Sequence, residues 1–228
     1  MFNIGFMVIG GIATLIGLFI SNRLKSKFEF YSQQGLRNGM SGKEIAERML
    51  RYYGIYDVKV QLAQGFLTDH YNPLDKTVNL SEPVYNARSI SAAAVSAHEC
   101  GHAVQHAQAY APLKIRSAIV PIVKVSSGIQ QFILLAALLT MGSALGKTML
   151  LIALVVFGVT VLFSLITLPV EFDASNRALK WLESSNITQP QELTGAKDAL
   201  SWAAMTYVAA ALAALASFLY LLWEYNRR

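Results

Sequence analysis

Four stretches of this chain, residues 2–20, 125–146, 148–170 and 199–223, are apolar and contain no Asp, Glu, Lys or Arg. A bilayer-crossing helix needs about 20 such residues. Four of them in 228 residues leave little room for a water-soluble fold. Composition agrees. Hydrophobic residues make up 54% and charged residues 14%, against about 25% charge in soluble domains. A disordered chain is excluded on the same grounds. The net charge of +5 could suggest nucleic acid, but no basic run or aromatic–basic pattern accompanies it. Basic residues in so apolar a chain belong at the flanks of membrane spans, and no nucleic-acid partner is expected.

The first run is followed by Asn22-Arg23-Leu24-Lys25-Ser26-Lys27, with no small-residue cleavage pattern, so it reads as a retained anchor. The second and third runs are split only by Lys147, with Gly142 and Gly146 before it, as a tight helical hairpin. The two polar segments, 28–116 and 171–198, then share one side. Arg23, Lys25, Lys27, Lys114, Arg116, Lys124, Arg177, Lys180 and Lys197 flank spans there, against Lys147, Arg227 and Arg228 opposite. The positive-inside rule makes that side cytoplasmic. The expected organisation is a transmembrane anchor (1–22), a polar segment with a small sheet and a motif-bearing helix (23–116), a transmembrane hairpin (117–170), a third-ligand helix and loop (171–198), and a last transmembrane helix with a short tail (199–228).

Within the first polar segment, Ser41-Gly42-Lys43-Glu44 is a capping box that starts a helix running to Tyr53 and stopping at Gly54. Residues 58–62 alternate with period two, as a strand does. Residues 69–76 carry turn chemistry around Asn72-Pro73, and 77–81 read as a second strand. The expectation is a small hairpin sheet ahead of a helix capped by Ser89.

That helix carries His98-Glu99-Cys100-Gly101-His102. Residues four apart share a helix face, so His98 and His102 can offer two imidazole nitrogens to one Zn2+ at about 2.0–2.1 Å. Glu99 adjoins the metal's open position, where it can act as general base on water and later as acid toward a leaving amine. Small residues around the motif (Ala97, Gly101, Ala103) predict a close backbone neighbour.

A catalytic zinc needs a third protein ligand and an open site. Gln105 and Gln108 stand where a metzincin would need Gly and His, which excludes that class. His106 is one turn further along and too far up the helix to converge with the other two. The topology favours Glu171, which leaves the third span on the motif's side, with Asp173 as the neighbouring alternative. Arg177 and His70 are candidates for stabilising a developing oxyanion, each with a plain structural role as the competing reading. Cys100 points away from the histidine face. As the lone cysteine it excludes an internal disulfide and the common cysteine-rich structural zinc sites.

The segments Ala97-His98-Glu99-Cys100-Gly101-His102-Ala103-Val104-Gln105 and Leu168-Pro169-Val170-Glu171-Phe172-Asp173-Ala174-Ser175, with Leu67 to Tyr71 and Leu80 to Tyr85, resemble the bacterial neutral zinc metallopeptidase family of the YugP type. The resemblance covers nearly the whole chain. It implies a mainly α membrane protein with about four transmembrane helices and a small α+β zincin-like polar domain on the cytoplasmic side. It also implies a gluzincin-like, zinc-dependent peptidase of the bacterial plasma membrane with one catalytic Zn2+ on His98, His102 and Glu171 and with Glu99 catalytic. The chain is more distantly similar to HtpX-type and CAAX-prenyl membrane proteases. Ser175 stands where those carry an Asp after the ligand Glu and would hold a zinc-bound histidine only weakly, so either Asp173 or another acid compensates or the similarity to those proteases is only partial.

The expected partners are a peptide or membrane-protein substrate and the lipid bilayer, with a second copy of the chain or a membrane-protein partner as candidates. A substrate peptide is expected to add as a strand beside residues 77–81. The alternative function is a non-catalytic, zinc-stabilised membrane module that binds or regulates a membrane protein. That module would need a closed four-ligand site, in which Glu99 has no use.

Overall fold

The computed structural model describes residues 2–140 and 142–227. The described chain is mainly helical. Its elements in order are α1 (Phe2–Ser32), α2 (Gly42–Tyr52), β1 (Lys59–Ala63), β2 (His70–Asn72), β3 (Thr77–Ser81), α3 (Glu82–Tyr85), α4 (Ile90–Ala107), α5 (Ala111–Leu139), α6 (Ala144–Ser184) and α7 (Pro190–Asn226). The helices α1, α5, α6 and α7 are long and apolar enough to cross a membrane.

α1, α6 and α7 outrun their apolar stretches, whereas α5 begins well before its own and ends within it, at Leu139. α6 continues through Pro169 and Glu171 to Ser184, and α1 continues past its basic flank to Ser32. Hydropathy marks where a helix would leave lipid, whereas hydrogen bonding and capping decide where it ends. The hairpin turn likewise falls earlier than Lys147. Gly142 adopts φ +89°, the Ser143 hydroxyl accepts from the Gly146 N–H at 3.1 Å, and α6 has begun by Ala144.

The chain forms two compact units. One draws on residues up to Ile20, on Ile115–Leu168 and on the chain from Thr206. Its small buried cluster centres on Leu150, Phe157 and Leu221, with Phe6 edge-on to Phe157 at 6.0 Å. Large apolar side chains remain on its outside: Met7 is 72% exposed and Leu15 69%. So much uncovered apolar surface suits lipid contact better than water.

The other unit, Ser21–Lys114 with Pro169–Met205, carries the sheet and the motif helix. Its core joins Ile45, Met49 and Leu50 of α2, Val78 and Leu80 of β3, an alanine-rich α4, and Trp181 and Leu182 of α6. The capping box on α2 is formed: the Ser41 hydroxyl accepts from the Glu44 N–H, and the Glu44 carboxylate accepts from the Ser41 N–H at 2.7 Å. α2 ends at Tyr52, and Gly54 takes φ +69°. Ser89 caps α4 by accepting from the Ala92 N–H.

The sheet departs from the expected hairpin. Its strand order is β1-β3-β2. β1 and β3 run parallel, with Lys59 opposite Thr77 and Ala63 opposite Ser81. The segment read as turn chemistry contains a third strand, β2, antiparallel to β3. The tight turn is only its second half, where the Leu74 N–H donates to Asn72 Oδ1 at 3.0 Å. The crossover from β1 is pinned by Asp69, which accepts from the Ser81 N–H at 2.7 Å and from its hydroxyl at 3.0 Å. β3 is therefore the central strand, paired on both sides. The peptide edge expected along 77–81 does not exist, and the sheet's outer edges belong to β1 and β2.

Candidate metal centre

Three side chains from two helices converge. His98 and His102 lie one turn apart on α4, and Glu171 projects from α6. Glu171 Oε2 is 3.4 Å from His98 Nε2 and 3.5 Å from His102 Nε2. One donor atom from each residue lies within 4.8 Å of the others, so the three could hold a metal ion. The spacing suits zinc: two ligands at the usual bond length on a tetrahedron are about 3.3 Å apart. Among the described residues this is the only cluster of three or more such groups with that compactness.

Gly101 makes the approach of α4 to α6 close enough. A Cβ there would lie 2.6 Å from the Ala174 carbonyl oxygen. On α6, Glu171, Ala174 and Ser175 share a face, so the helix that touches Gly101 carries its polar groups onto the two histidines. The backbone neighbour expected from the small residues is thus α6.

The remaining ring nitrogens are also engaged. Ser175 Oγ lies 3.1 Å from His98 Nδ1, and Gln105 Oε1 lies 3.0 Å from His102 Nδ1. The hold on His102 comes from an amide, not from a compensating acid. Such partners orient metal-binding imidazoles. Gln105 served the sequence reading only to exclude one class. Its spacing of three residues from His102 was the available signal.

Glu99 is buried at 8% exposure. Burial works against a positive charge on His102, but the Glu171 and Glu99 carboxylates, together with the Gln105 hydrogen bond, outweigh it and raise the His102 pKa. Cys100 is fully buried against α2, 3.5 Å from the Ala46 carbonyl oxygen. Burial pushes its thiol pKa well up.

The other candidates are occupied elsewhere. Asp173 accepts from Gln105 Nε2 at 2.8 Å and pairs with Arg177 Nε at 2.5 Å, so it is turned away from the metal donors. Arg177 also donates to Gln108 Oε1 and stacks over Tyr110. His106 lies 2.7 Å from the Tyr71 hydroxyl, whose pKa burial and the Asp57 charge push up to about 12. His70 contacts the Thr68 carbonyl at 2.8 Å and lines the polar outer face of the sheet.

Helices of membrane-spanning composition and a two-histidine, one-glutamate cluster able to hold a metal define a membrane-type chain with a candidate metal centre. The chain belongs to the family described as "Putative neutral zinc metallopeptidase", whose model matches residues 6–226. It is 45% identical, over 85% of its length and 84% of the relative's, to the Bacillus subtilis (strain 168) protein named "Putative membrane protease YugP". No solved structure matches it.

Proposed function

We propose that the chain is a zinc-dependent membrane metalloendopeptidase in which Glu99 serves as general base and acid. The observation that carries this reading is the convergence of His98, His102 and Glu171 with Oε2–Nε2 distances of 3.4 and 3.5 Å. The donor set, two imidazoles and one carboxylate, is that of a hydrolytic zinc site, and its spacing fits the ion. A closed structural centre takes four protein ligands. The cluster holds three, and Cys100 is turned into the core. Both points favour hydrolysis over a zinc-stabilised scaffold.

Zinc held there would supply Lewis acidity toward water and toward the scissile carbonyl. The chain's own residues would do the rest. His98, His102 and Glu171 would hold the ion through side chains that are themselves positioned by Ser175, Gln105 and α6. Glu99 takes a proton from the attacking water, and the same proton passes to the amide nitrogen as the bond breaks. The substrate would be a peptide or a membrane protein. The distribution of Lys and Arg supports a site on the cytoplasmic side of the bacterial plasma membrane.

The test uses full-length protein in detergent micelles and a quenched-fluorescent peptide library. Glu99→Gln should retain one zinc per chain while losing cleavage by about 10²–10⁴-fold. Unchanged turnover in that variant refutes the role given to Glu99.

A further inference from the structure

Gln105 sits in α4 three residues beyond His102 and is completely buried. Its amide bridges the two helices of the site. Oε1 faces His102 Nδ1 at 3.0 Å. Nε2 donates to the Val170 carbonyl and to Asp173 Oδ2, each at 2.8 Å. Asp173 is held in turn by Arg177 Nε at 2.5 Å.

A side-chain amide has two N–H donors on nitrogen and acceptor capacity only on oxygen. The two groups that α6 presents to Gln105, a backbone carbonyl and an ion-paired carboxylate, are both acceptors. Turning the amide over would set its oxygen against both and leave its nitrogen facing the imidazole. One orientation therefore satisfies the network. With Oε1 toward His102, the Nδ1 it meets must carry the proton. A neutral imidazole has one N–H, so Nε2 keeps its lone pair on the side where Glu171 lies. Ser175 does not constrain His98 in this way, because a hydroxyl rotates to donate or to accept.

We propose that Gln105 is a positioning residue that locks His102 as the Nδ1–H tautomer, with its own direction set by Val170 and the Asp173–Arg177 pair. The inference rests on the reading of His98, His102 and Glu171 as a zinc centre. It adds that the polarity of the site is imposed by α6 through an amide that touches neither metal nor substrate.

The test compares three full-length proteins in micelles: wild type, Gln105→Leu, and Gln105→Glu combined with Asp173→Asn. The leucine keeps much of the volume and removes every hydrogen bond. The double variant restores an acceptor toward His102 and reverses the bond to residue 173, whose new amide donates to the new carboxylate, but it forfeits the bond to the Val170 carbonyl and the Asp173–Arg177 pair. Zinc affinity is read by chelator competition. The His102 ring proton is read by NMR of 15N-histidine-labelled, zinc-loaded protein. Gln105→Leu should weaken zinc binding about 10–100-fold and lose the protected Nδ1–H signal. The double variant should bind zinc more tightly than Gln105→Leu, short of wild type, and restore the signal.

If Gln105 only fills space, the leucine variant is the milder substitution and the double variant, which buries a charge, the worse. That order, or zinc binding in Gln105→Leu equal to wild type, overturns the proposal. Wild-type protein that holds no zinc overturns the functional reading and this inference together. Wild-type zinc binding that is unaffected by Gln105→Leu overturns this inference alone.

Discussion

Replacing Gly101 by alanine adds one methyl group at the point where α4 meets α6. The new Cβ would lie 2.6 Å from the Ala174 carbonyl oxygen and 3.1 Å from its carbonyl carbon and Cα, all backbone atoms that no rotamer change can move. Ordinary contact begins at 3.4 Å, so α6 must retreat by about 0.8 Å to reach it. Glu171 lies one turn before Ala174 and retreats with it. Its 3.4 and 3.5 Å separations from the histidines would then exceed 4 Å, well past the roughly 3.3 Å edge of a zinc tetrahedron. Stability alone is an ambiguous readout. Overpacking costs about 1–3 kcal/mol, while replacing glycine by alanine in a helix returns about 1 kcal/mol. Zinc affinity separates the two. It should fall at least about tenfold, comparable to losing an orienting partner of a ligand, as measured by chelator competition on full-length protein. An alanine variant that binds zinc as tightly as wild type and gains about 1 kcal/mol in stability would refute the claim that this contact sets the site.

Three further outcomes follow from the same geometry. Ser175→Ala removes the 3.1 Å contact to His98 and should lower zinc affinity by up to about tenfold, by the same competition assay. Ser41→Ala opens the capping box of α2 and should cost about 0.5–2 kcal/mol, seen as a lower unfolding temperature with zinc affinity unchanged. The third concerns pH. The His102 pKa is raised above its unfolded value of 6.5 in the metal-free chain, so its contribution to stability is complete below that value. It is lost as pH rises through the folded-state value. Metal-free protein should therefore become less stable over that rise, and Glu171→Gln should flatten the slope. Zinc-loaded protein should do the opposite, because the ligands bind metal only when deprotonated. Parallel slopes in thermal unfolding with and without zinc would contradict this.

The parts of the centre legible in the sequence are those fixed by local arithmetic. His98 and His102 are one turn apart on any helix, and Ser41 with Glu44 forms a cap wherever a helix starts. Glu171 was reachable because a two-span hairpin returns the chain to the side it left. The sheet was less legible. Alternation identifies 58–62 as extended, one residue ahead of the observed strand, and 77–81 also reads as a strand, but the pairing of Lys59 with Thr77 in parallel, and the placing of β3 between two neighbours, are long-range choices that alternation does not encode. The short β2 hid inside turn residues because three residues are too few to show a period.

The orienting groups around the histidines were the least legible, for a different reason. A hydroxyl at 175 and an amide at 105 are commonplace polar residues until α6 lies against α4. The direction of the Gln105 amide depends on Val170 and Asp173, 65 and 68 residues away. Gly101 is the link between these facts. Its missing side chain admits the α6 backbone, and with that backbone come the carbonyl that orients Gln105, the hydroxyl that meets His98, and Glu171 itself. The family relationship covers residues 6–226, and the contact between the two helices gives a physical reason why the motif on α4 and the carboxylate segment on α6 must be kept together. Either helix alone holds an incomplete donor set, and only a close crossing at a residue without a Cβ brings the set within bonding reach of one ion.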